Sequence, residues 1–211
     1  MAEQGKFITF EGGEGAGKST QARLLKAALE ERGHRVTLTR EPGGSPGAEE
    51  IRKLLVEGEP ERWTPLSETL LFLAARVDHV ARVIESALAK GEWVISDRFS
   101  DSTYVYQGVA RGVGVDTVDG LQKAALGEFA PDLTLVLDLD PREGLKRAGA
   151  RGGAHENRFE RFDDAFHARL RKAFRDIAAA NPKRCVLIDA GRAANEVAAD
   201  IWRVVEKRLH P

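Results

Sequence analysis

The sequence contains almost no cysteine, and this scarcity narrows the classes of protein to which it can belong. Cys185 is the one cysteine among 211 residues, so an internal disulfide is excluded and a reducing compartment is favoured. It lies in the apolar run 185–188, where a small buried residue is more common than a reactive thiol. No apolar run reaches the length that spans a membrane, and residues 1–6 carry no apolar signal stretch. We therefore expect a cytoplasmic protein without a membrane partner.

The chain also lacks an excess of charge of either sign. It has 32 basic and 33 acidic residues and a formal net charge of −1, so no overall field attracts nucleic acid. Linkers rich in proline or serine, internal repeats and low-complexity tracts are missing as well. Hydrophobic residues make up 42% of the chain, which is enough for a substantial core. We predict a single domain over residues 1–211 with no nucleic-acid partner.

A glycine-rich stretch at residues 12–20 matches the phosphate-loop pattern G-x-x-x-x-G-K-[ST] at every fixed position. An apolar run at 6–10 precedes it and a helical pattern at 20–32 follows, which is the context that this motif requires. Glycines let backbone N–H groups surround a phosphate, Lys18 can reach the β- and γ-phosphates, and the Ser19 hydroxyl can ligate Mg²⁺. The predicted nucleoside triphosphate site comprises Gly12, Gly13, Glu14, Gly15, Ala16, Gly17, Lys18, Ser19 and Thr20.

Apolar strand patterns alternate with helical patterns along the chain, which predicts an α/β fold with a parallel sheet covered on both faces. The segment 149–158 is small and polar, and its composition fits a flexible lid or an ordinary surface loop equally well. The predicted strands are Phe7–Phe10, Val36–Thr39, Trp93–Ser96, Leu133–Leu137 and Val186–Ile188. The predicted helices lie near 20–32, 47–57, 66–90, 116–127, 141–149, 159–180 and 193–208.

Ionisable residues follow several predicted strands at their carboxyl ends, where an open parallel sheet binds its ligands. Asp97 is placed to help hold Mg²⁺, and Arg98 can form a fork onto a phosphate of a second substrate. A pair that only satisfies the strand end is the alternative. Arg40 and Arg52 could complete an anion clamp, although each by itself is more typical of a solvated surface arginine.

Phe72 and Arg76 stand four positions apart in a helical stretch and therefore share a face. One interpretation is a ring that stacks on a base beside a guanidinium that reads a carbonyl oxygen. From spacing alone, a core phenylalanine beside a solvated arginine is favoured.

Taken together, these motifs resemble those of bacterial thymidylate kinases, over nearly the whole chain. The resemblance rests on FEGGEGAGKST at 10–20, TREPGG at 39–44, EEIRKLL at 49–55, LLFLAAR at 70–76, DRFSDST at 97–103, YQG at 106–108, ARG at 110–112 and PDLT at 131–134. It implies a three-layer P-loop NTPase fold with a five-stranded parallel sheet and a short mobile lid at about 147–160. It also implies transfer of the γ-phosphoryl group of ATP to dTMP with Mg²⁺, and a homodimer.

The same resemblance implies roles for individual residues. Phe72 stacks on thymine and Arg76 hydrogen-bonds its O4, while Tyr106 lies under the deoxyribose and Glu14 faces the acceptor nucleotide. Ser102, Thr103 and Gln107 lie near the base and sugar. Arg40, Arg52 and Arg98 hold the dTMP phosphate. Lys18 and Arg98, with a lid arginine, neutralise the transferring group, and no catalytic base is implied.

Members of this family keep the arginine that stabilises the transferring phosphoryl group either in the phosphate loop or in the lid. The loop position is Gly15 here, so the chain is similar to the lid-arginine type, and Gly15→Arg is predicted to rescue the loss of a lid arginine in part. By position Arg147 would lie beside adenine, and Arg151 or Arg158 on the phosphates.

Two other functions stay open beside this one. A kinase for another deoxynucleotide or deoxynucleoside shares the phosphate loop, but a nucleoside acceptor gives no reason for three phosphate-binding arginines. A nucleotide-dependent switch is the alternative outside the kinases. A guanine-specific switch should carry Asn-Lys-x-Asp, and that tetrapeptide is absent. A dinucleotide oxidoreductase is disfavoured because Lys18 stands where the third glycine of G-x-G-x-x-G belongs.

Overall fold

The protein is built on a five-stranded parallel β-sheet, seen in a computed structural model that describes residues 5–150 and 158–211. The strands are β1 (Phe7–Gly12), β2 (Val36–Arg40), β3 (Trp93–Asp97), β4 (Leu133–Asp138) and β5 (Cys185–Asp189). They lie in the order β2-β3-β1-β4-β5, and each neighbouring pair is parallel. The five strands predicted from the sequence are confirmed, each with ends that agree to within two residues.

Helices connect the strands. They are α1 (Lys18–Glu30), α2 (Pro46–Val56), α3 (Pro65–His79), α4 (Glu85–Ala89), α5 (Ser100–Thr103), α6 (Val115–Leu126), α7 (Pro141–Gly149), α8 (Asp164–Ala180) and α9 (Ala194–Leu209). Two π-helical segments, Val80–Ile84 and Tyr104–Ala110, continue α3 and α5. Among the described residues no helix combines the length and apolar character needed to cross a membrane.

The two faces of the sheet bury different sets of side chains because successive strand residues point in opposite directions. Ile8, Phe10 and Leu135 belong to the core cluster that contains Leu25 of α1 and Ile201 of α9. On the opposite face Val136 packs with Phe166, Leu170 and Phe174 of α8, and Phe7 and Val94 pack with Ile84. The sheet is therefore covered on both faces, as the alternating pattern predicts.

A helical stretch at residues 100–110 is absent from the sequence-based expectation. Its sequence, SDSTYVYQGVA, is rich in serine, β-branched and aromatic residues and contains Gly108, so its intrinsic helix propensity is low. Val105 and Tyr106 are buried and pack in the same cluster as Phe166 and Phe174 of α8. Tertiary packing against α8 thus makes a helix that local propensity does not specify.

The strand register brings the carboxyl ends of β2, β3 and β1 together. Arg40 of β2 pairs with Asp97 of β3, and Asp97 in turn pairs with Phe10 of β1. β1 lies between β3 and β4, so the loop that leaves β1 emerges at the middle of the carboxyl edge of the sheet. This edge is the position at which open α/β sheets bind ligands.

Candidate active site

The loop between β1 and α1 has a backbone that only glycine adopts easily. Gly15 and Gly17 have φ of +66° and +91°, in the left-handed region that penalises a Cβ. A Cβ on Gly12 would lie 2.4 Å from the carbonyl oxygen of Leu137, so a side chain there would push β1 and β4 apart. No side chain caps α1, which leaves the first N–H groups of the helix to bind an anion.

Lys18 is the charged group of this loop. It is 7% exposed, and its ammonium donates hydrogen bonds to the carbonyl oxygens of Gly12 (3.2 Å) and Gly13 (2.7 Å). Burial, and after it repulsion from Arg98, lowers the pKa of Lys18 to about 8. The lysine is therefore still a cation at pH 7, held at the rim where a β- or γ-phosphate would meet the loop.

Ser19 and Asp97 form an oxygen pair suited to Mg²⁺. The Ser19 hydroxyl donates a hydrogen bond to Oδ2 of Asp97, so the start of α1 meets the end of β3 at this point. In the described residues no three His, Cys, Asp or Glu side chains cluster as a metal site of their own. The pair fits a Mg²⁺ ion shared between a hydroxyl, a carboxylate, water and nucleotide phosphates, because Mg²⁺ keeps much of its water and takes few protein ligands.

Arg98 lies between the phosphate loop and the π-helical segment 104–110. Its guanidinium donates to the carbonyl oxygen of Gly12 (3.0 Å), to Oγ of Ser102 (3.1 Å), to Oε1 of Glu14 (2.9 Å) and to the Tyr106 hydroxyl (3.1 Å). Burial alone would raise the pKa of Glu14, but Arg98 and Lys18 together outweigh burial and lower this pKa to about 2. Glu14 is thus ionised and fixes Arg98 beside the loop.

These groups line one cavity of about 220 Å³. Its donor side is formed by the phosphate loop, including Lys18 and Ser19, with Asp97 beside it. Its acceptor side includes Arg40, Arg52, Phe72, Ser102, Thr103 and Gln107. The cavity therefore joins residues from both sets that the sequence assigned to ATP and to the acceptor.

Arg40 and Arg52 both lie at the acceptor end of this cavity. Arg40 pairs with Glu49 (Nη2 to Oε2, 3.0 Å), and Arg52 donates to the carbonyl oxygen of Pro42 (2.7 Å). Glu49 also accepts a hydrogen bond from the backbone N–H of Gly44 (2.9 Å). The turn after β2 and the helix α2 therefore place two guanidinium groups at one opening, which is the geometry of an anion clamp.

Arg76 is nearly inaccessible, with 1% of its surface exposed. The interpretation of Arg76 as a solvated arginine, favoured from spacing alone, is therefore wrong. Its Nε donates to Glu41 (2.7 Å), and its two terminal nitrogens donate to Oγ1 of Thr103 (3.0 Å) and to the carbonyl oxygen of Phe99 (3.1 Å). Phe72, one turn earlier, is half-buried and lines the cavity. Phe72 thus lines the site, while Arg76 is buried against Thr103, which also lines the cavity.

The side chains that hold Arg76 and Gln107 are missing from the sequence-based site. Glu41 is 6% exposed and accepts hydrogen bonds from Arg76 and, at 3.0 Å, from Nδ1 of the buried His79. Glu68 is fully buried and accepts a hydrogen bond from Nε2 of Gln107 (2.9 Å). Glu41 is part of the TREPGG stretch, and that position was the only signal in the sequence for its role.

Arg147 is placed on the far side of the phosphate loop from the acceptor end. It pairs with Glu143, donates to the carbonyl oxygen of Ala190 (3.3 Å) and lines a cleft of about 430 Å³ with Thr20 and Gln21. A planar guanidinium in a cleft next to the phosphate loop suits contact with a nucleobase.

Arg158 lies away from the phosphate loop, contrary to the expectation that it contacts the phosphates. It is fully buried, and its guanidinium donates to the carbonyl oxygens of Glu59 (2.9 Å), Leu55 (3.0 Å) and Pro60 (2.5 Å). Its Nη2 is also 2.5 Å from Oε2 of Glu68. The guanidinium therefore stabilises the end of α2 and the loop after it. Arg151 falls in 151–157, outside the described residues.

Comparison with known proteins decides the family. The family model of thymidylate kinase matches residues 10–201. The chain belongs to the thymidylate kinase family. The thymidylate kinase of Bradyrhizobium sp. (strain BTAi1) is 53% identical to it, over 98% of this chain and 92% of that protein. The thymidylate kinase of Dinoroseobacter shibae is 54% identical, over 95% of this chain and 96% of that protein. The thymidylate kinase of Caulobacter vibrioides is 53% identical, over 98% of both. The crystal structure of thymidylate kinase from Ehrlichia chaffeensis has a TM-score of 0.76 and 35% identity, and the match covers 96% of this chain and 99% of that one.

The structure also corrects one expectation drawn from variation among thymidylate kinases. A Cβ on Gly15 would lie 1.9 Å from the carbonyl oxygen of Gly144, in the first half of α7, and Gly15 has a positive φ. Gly15→Arg therefore cannot be accommodated without moving α7 off the loop. The rescue of a lid-arginine loss by this substitution is no longer expected.

Proposed function

We propose that this chain transfers the γ-phosphoryl group of ATP to dTMP, giving dTDP and ADP, as its family membership indicates. The observation that carries the proposal is the single cavity with a phosphate loop on one side and Arg40, Arg52 and Phe72 on the other. A kinase for a phosphorylated acceptor must hold two anionic substrates together, and cations at both ends offset their repulsion. A neutral nucleoside acceptor would leave the acceptor-side arginines without a role.

The transfer needs little from a general base. A dTMP phosphate oxygen, anionic near neutral pH, attacks the γ-phosphorus in line with the departing β-phosphate oxygen, through a loose transition state. Lys18 and Arg98 neutralise the charge spread over the transferring group, and Glu14 keeps Arg98 in place. Ser19 and Asp97 would hold a Mg²⁺ ion, which would supply further neutralisation of the phosphate charge. Positioning and charge thus account for the catalysis.

Base recognition is assigned to the half-buried end of the cavity. Phe72 stacks on thymine, and Arg76 directs a guanidinium N–H to O4, supported by Glu41. Thr103 and Gln107 border the base and sugar, and the ring of Tyr106 lies under the deoxyribose. A pocket for one methyl group discriminates by only ~1–3 kcal/mol, so we expect thymine to be preferred over uracil by a moderate factor.

The donor nucleotide is assigned to the phosphate loop and to the cleft beside it, where Arg147 contacts adenine. Arg158 does not reach the phosphates, because it is committed to backbone carbonyls and Glu68. Arg151, the other arginine that the resemblance assigns to the phosphates, lies outside the described residues. Exclusion of water from the occupied site would prevent transfer of the γ-phosphoryl group to water.

We also propose a homodimer, in the cytoplasm. The helix α3 carries three partly exposed apolar side chains on one face, Leu66, Leu70 and Val77, here called the α3 stripe. A second copy that packs its own α3 stripe on this one would remove them from water by a symmetric contact. The single buried cysteine suits the reducing cytoplasm.

Coupled ATP consumption with Mg²⁺ tests the activity, across dTMP, dUMP, dCMP, dGMP, dAMP and thymidine. We expect fast turnover largely confined to dTMP. Lys18→Ala should abolish it. Lys26→Ala, which changes a half-buried lysine of the same helix that pairs with Glu30, should leave it intact. Turnover with thymidine in place of dTMP would reassign the chain to the nucleoside kinases. ATP binding without acceptor-dependent turnover would favour a nucleotide-dependent switch.

A further inference from the structure

Glu11, the residue before the phosphate loop, carries a carboxylate that the transfer chemistry leaves without a role. It lies in β1 and has no exposed surface, so it cannot touch a substrate. Its Oε1 accepts hydrogen bonds from the backbone N–H groups of Phe99 (2.8 Å) and Ser102 (3.3 Å), and its Oε2 accepts one from the Ser102 hydroxyl (2.6 Å). All three donors belong to the segment that immediately follows Arg98.

That segment holds a strained residue. Arg98 has φ of +73°, in the left-handed region that is unfavourable for a residue with a Cβ. Its own N–H donates to the carbonyl oxygen of Phe10 (2.9 Å), and its carbonyl oxygen accepts from Oγ of Ser96 (2.7 Å). Glu11 binds the next N–H along the chain, so the turn is fixed from β1 on both sides of Arg98.

The carboxylate also reaches the guanidinium itself through one hydroxyl. Oγ of Ser102 donates to Glu11 and accepts from Nη1 of Arg98 (3.1 Å). Since that hydroxyl has one proton, an ionised Glu11 orients it with its lone pairs toward Arg98. Loss of the carboxylate would free the hydroxyl to rotate and would leave two buried N–H groups short of an acceptor.

We propose that Glu11 is a positioning residue for phosphoryl transfer, which holds Arg98 in its left-handed turn and aims the guanidinium across the phosphate loop. The inference rests on the proposed function, because the effect of Glu11 on Arg98 is measured as a change in the rate of phosphoryl transfer. A displacement of Arg98 by about 1 Å is enough to cost on the order of 100-fold in rate. The effect should fall on kcat and on the KM of dTMP, because Arg98 is the group that is displaced, and it should largely spare the KM of ATP.

The charges around Glu11 give the proposal a second readout. Burial, and after it repulsion from Asp101, raises the pKa of Glu11 to about 7, against the hydrogen bond from Ser102 and the attraction of Arg98. Below that pH the carboxyl is protonated and offers fewer acceptor sites to its three donors. The titratable and charged groups that face it are Asp101 of α5, Arg98 after β3, Lys18 of α1, Arg184 just before β5, and Cys185 of β5.

The test compares Glu11→Gln with Thr9→Val as a matched control. Thr9 is a fully buried polar residue two positions earlier in β1, bonded to Thr134 (2.8 Å) and not to the Arg98 turn. With dTMP and ATP, Glu11→Gln should lower kcat about 10-fold to 100-fold, with the KM of ATP changed less than about threefold. Thr9→Val should keep the wild-type kcat. Equal kcat in wild type and Glu11→Gln would overturn the proposal, whereas a wild type inactive with dTMP would overturn the proposed function instead.

A double-mutant cycle separates positioning from a general loss of structure. In an Arg98→Lys background, with turnover followed at high enzyme concentration, Glu11→Gln should change kcat less than about twofold, because the group that it positions is already altered. An undiminished effect in that background would contradict the proposal.

The wild-type kcat should also fall as the pH drops below about 7, while Glu11→Gln keeps only the fall due to the dTMP phosphate, whose second pKa is ~6. Identical pH profiles would count against it. If Glu11→Gln does not fold, Ser102→Ala, which removes the bridging hydroxyl, is carried through the same cycle.

Discussion

Glu11 and Glu14 stand three positions apart beside the same arginine, and yet their pKa values move in opposite directions. Burial raises the pKa of Glu11 to about 7, and Asp101 adds to the rise. Burial acts on Glu14 as well, but Arg98 and Lys18 outweigh it and lower the pKa to about 2. The difference arises because Glu14 contacts the guanidinium directly, whereas Glu11 meets neutral donors and lies near a second carboxylate. Each acid is thereby suited to a different task, charge pairing for Glu14 and backbone support for Glu11.

This difference predicts how Glu11 affects stability against pH. Between the unfolded value near 4.5 and the folded value near 7, the folded state binds more protons at Glu11, so the free energy of unfolding falls as the pH rises through this window. Glutamine does not titrate. Relative to Glu11→Gln, the wild type should therefore lose ~2 kcal/mol between pH 5 and pH 8 in urea unfolding. Thr9→Val should keep a constant offset from the wild type, and a constant offset for Glu11→Gln too would contradict this assignment.

At the scale of elements, α7 packs backbone against backbone on the phosphate loop. A Cβ on Gly144 would lie 2.3 Å from the carbonyl oxygen of Glu14, and a Cβ on Gly15 would lie 1.9 Å from the carbonyl oxygen of Gly144. This contact fixes the distance between α7, which carries Arg147, and the loop. The cleft that Arg147 lines and the phosphate loop are therefore set relative to one another by two glycines rather than by side chains.

Gly144→Ala should push α7 off the loop. We expect a loss of ~1–3 kcal/mol in unfolding free energy from overpacking and a raised KM for ATP, measured by thermal unfolding and by turnover. Gly149→Ala, in the same helix, is the control because a Cβ there meets no described atom within 4 Å. It should change the free energy of unfolding by less than ~0.5 kcal/mol, because Gly149 is an exposed residue at the end of the helix, and keep the KM of ATP. A wild-type KM in Gly144→Ala would show that the loop tolerates the shift.

At the scale of the whole molecule, the α3 stripe is the surface that we propose for the homodimer. Leu66 and Leu70 are 48% and 49% exposed, on the helix whose other side supplies Phe72, Arg76 and the buried Glu68 to the site. If two copies pack through this face, each interface supports the helix that carries Phe72 into the cavity. Assembly and acceptor binding then share one element.

Leu70→Glu places a charge in the centre of the α3 stripe and should convert a dimer to a monomer, because an unpaired charge is costly to bury. Leu24→Glu is the matched control, since Leu24 is similarly exposed but lies on α1. Sedimentation velocity over a range of protein concentrations should show a dimer for the wild type and Leu24→Glu, and a monomer for Leu70→Glu. A monomeric wild type would reject the homodimer, and a dimeric Leu70→Glu would place its interface elsewhere.

Local sequence was enough to determine the five strands, the phosphate loop and the family. Strand patterns, the spacing from Gly12 to Ser19, and the stretches shared with thymidylate kinases are all read within a few tens of residues. The same patterns placed Lys18, Ser19, Arg40, Arg98 and Phe72 among the residues of one site, and the structure brings them to one cavity.

Only the tertiary structure decided which polar groups meet across distant segments. Arg76 is buried against Glu41, Arg158 is held by the end of α2 and by Glu68, and residues 100–110 are helical because α8 packs on them. Glu11 and Ser102 are 91 positions apart in the chain, and yet the Ser102 hydroxyl donates a hydrogen bond to the Glu11 carboxylate. The spacing of residues in the sequence does not predict such partners, because hydrogen bonds and burial depend on distance in the folded molecule and not on distance along the chain.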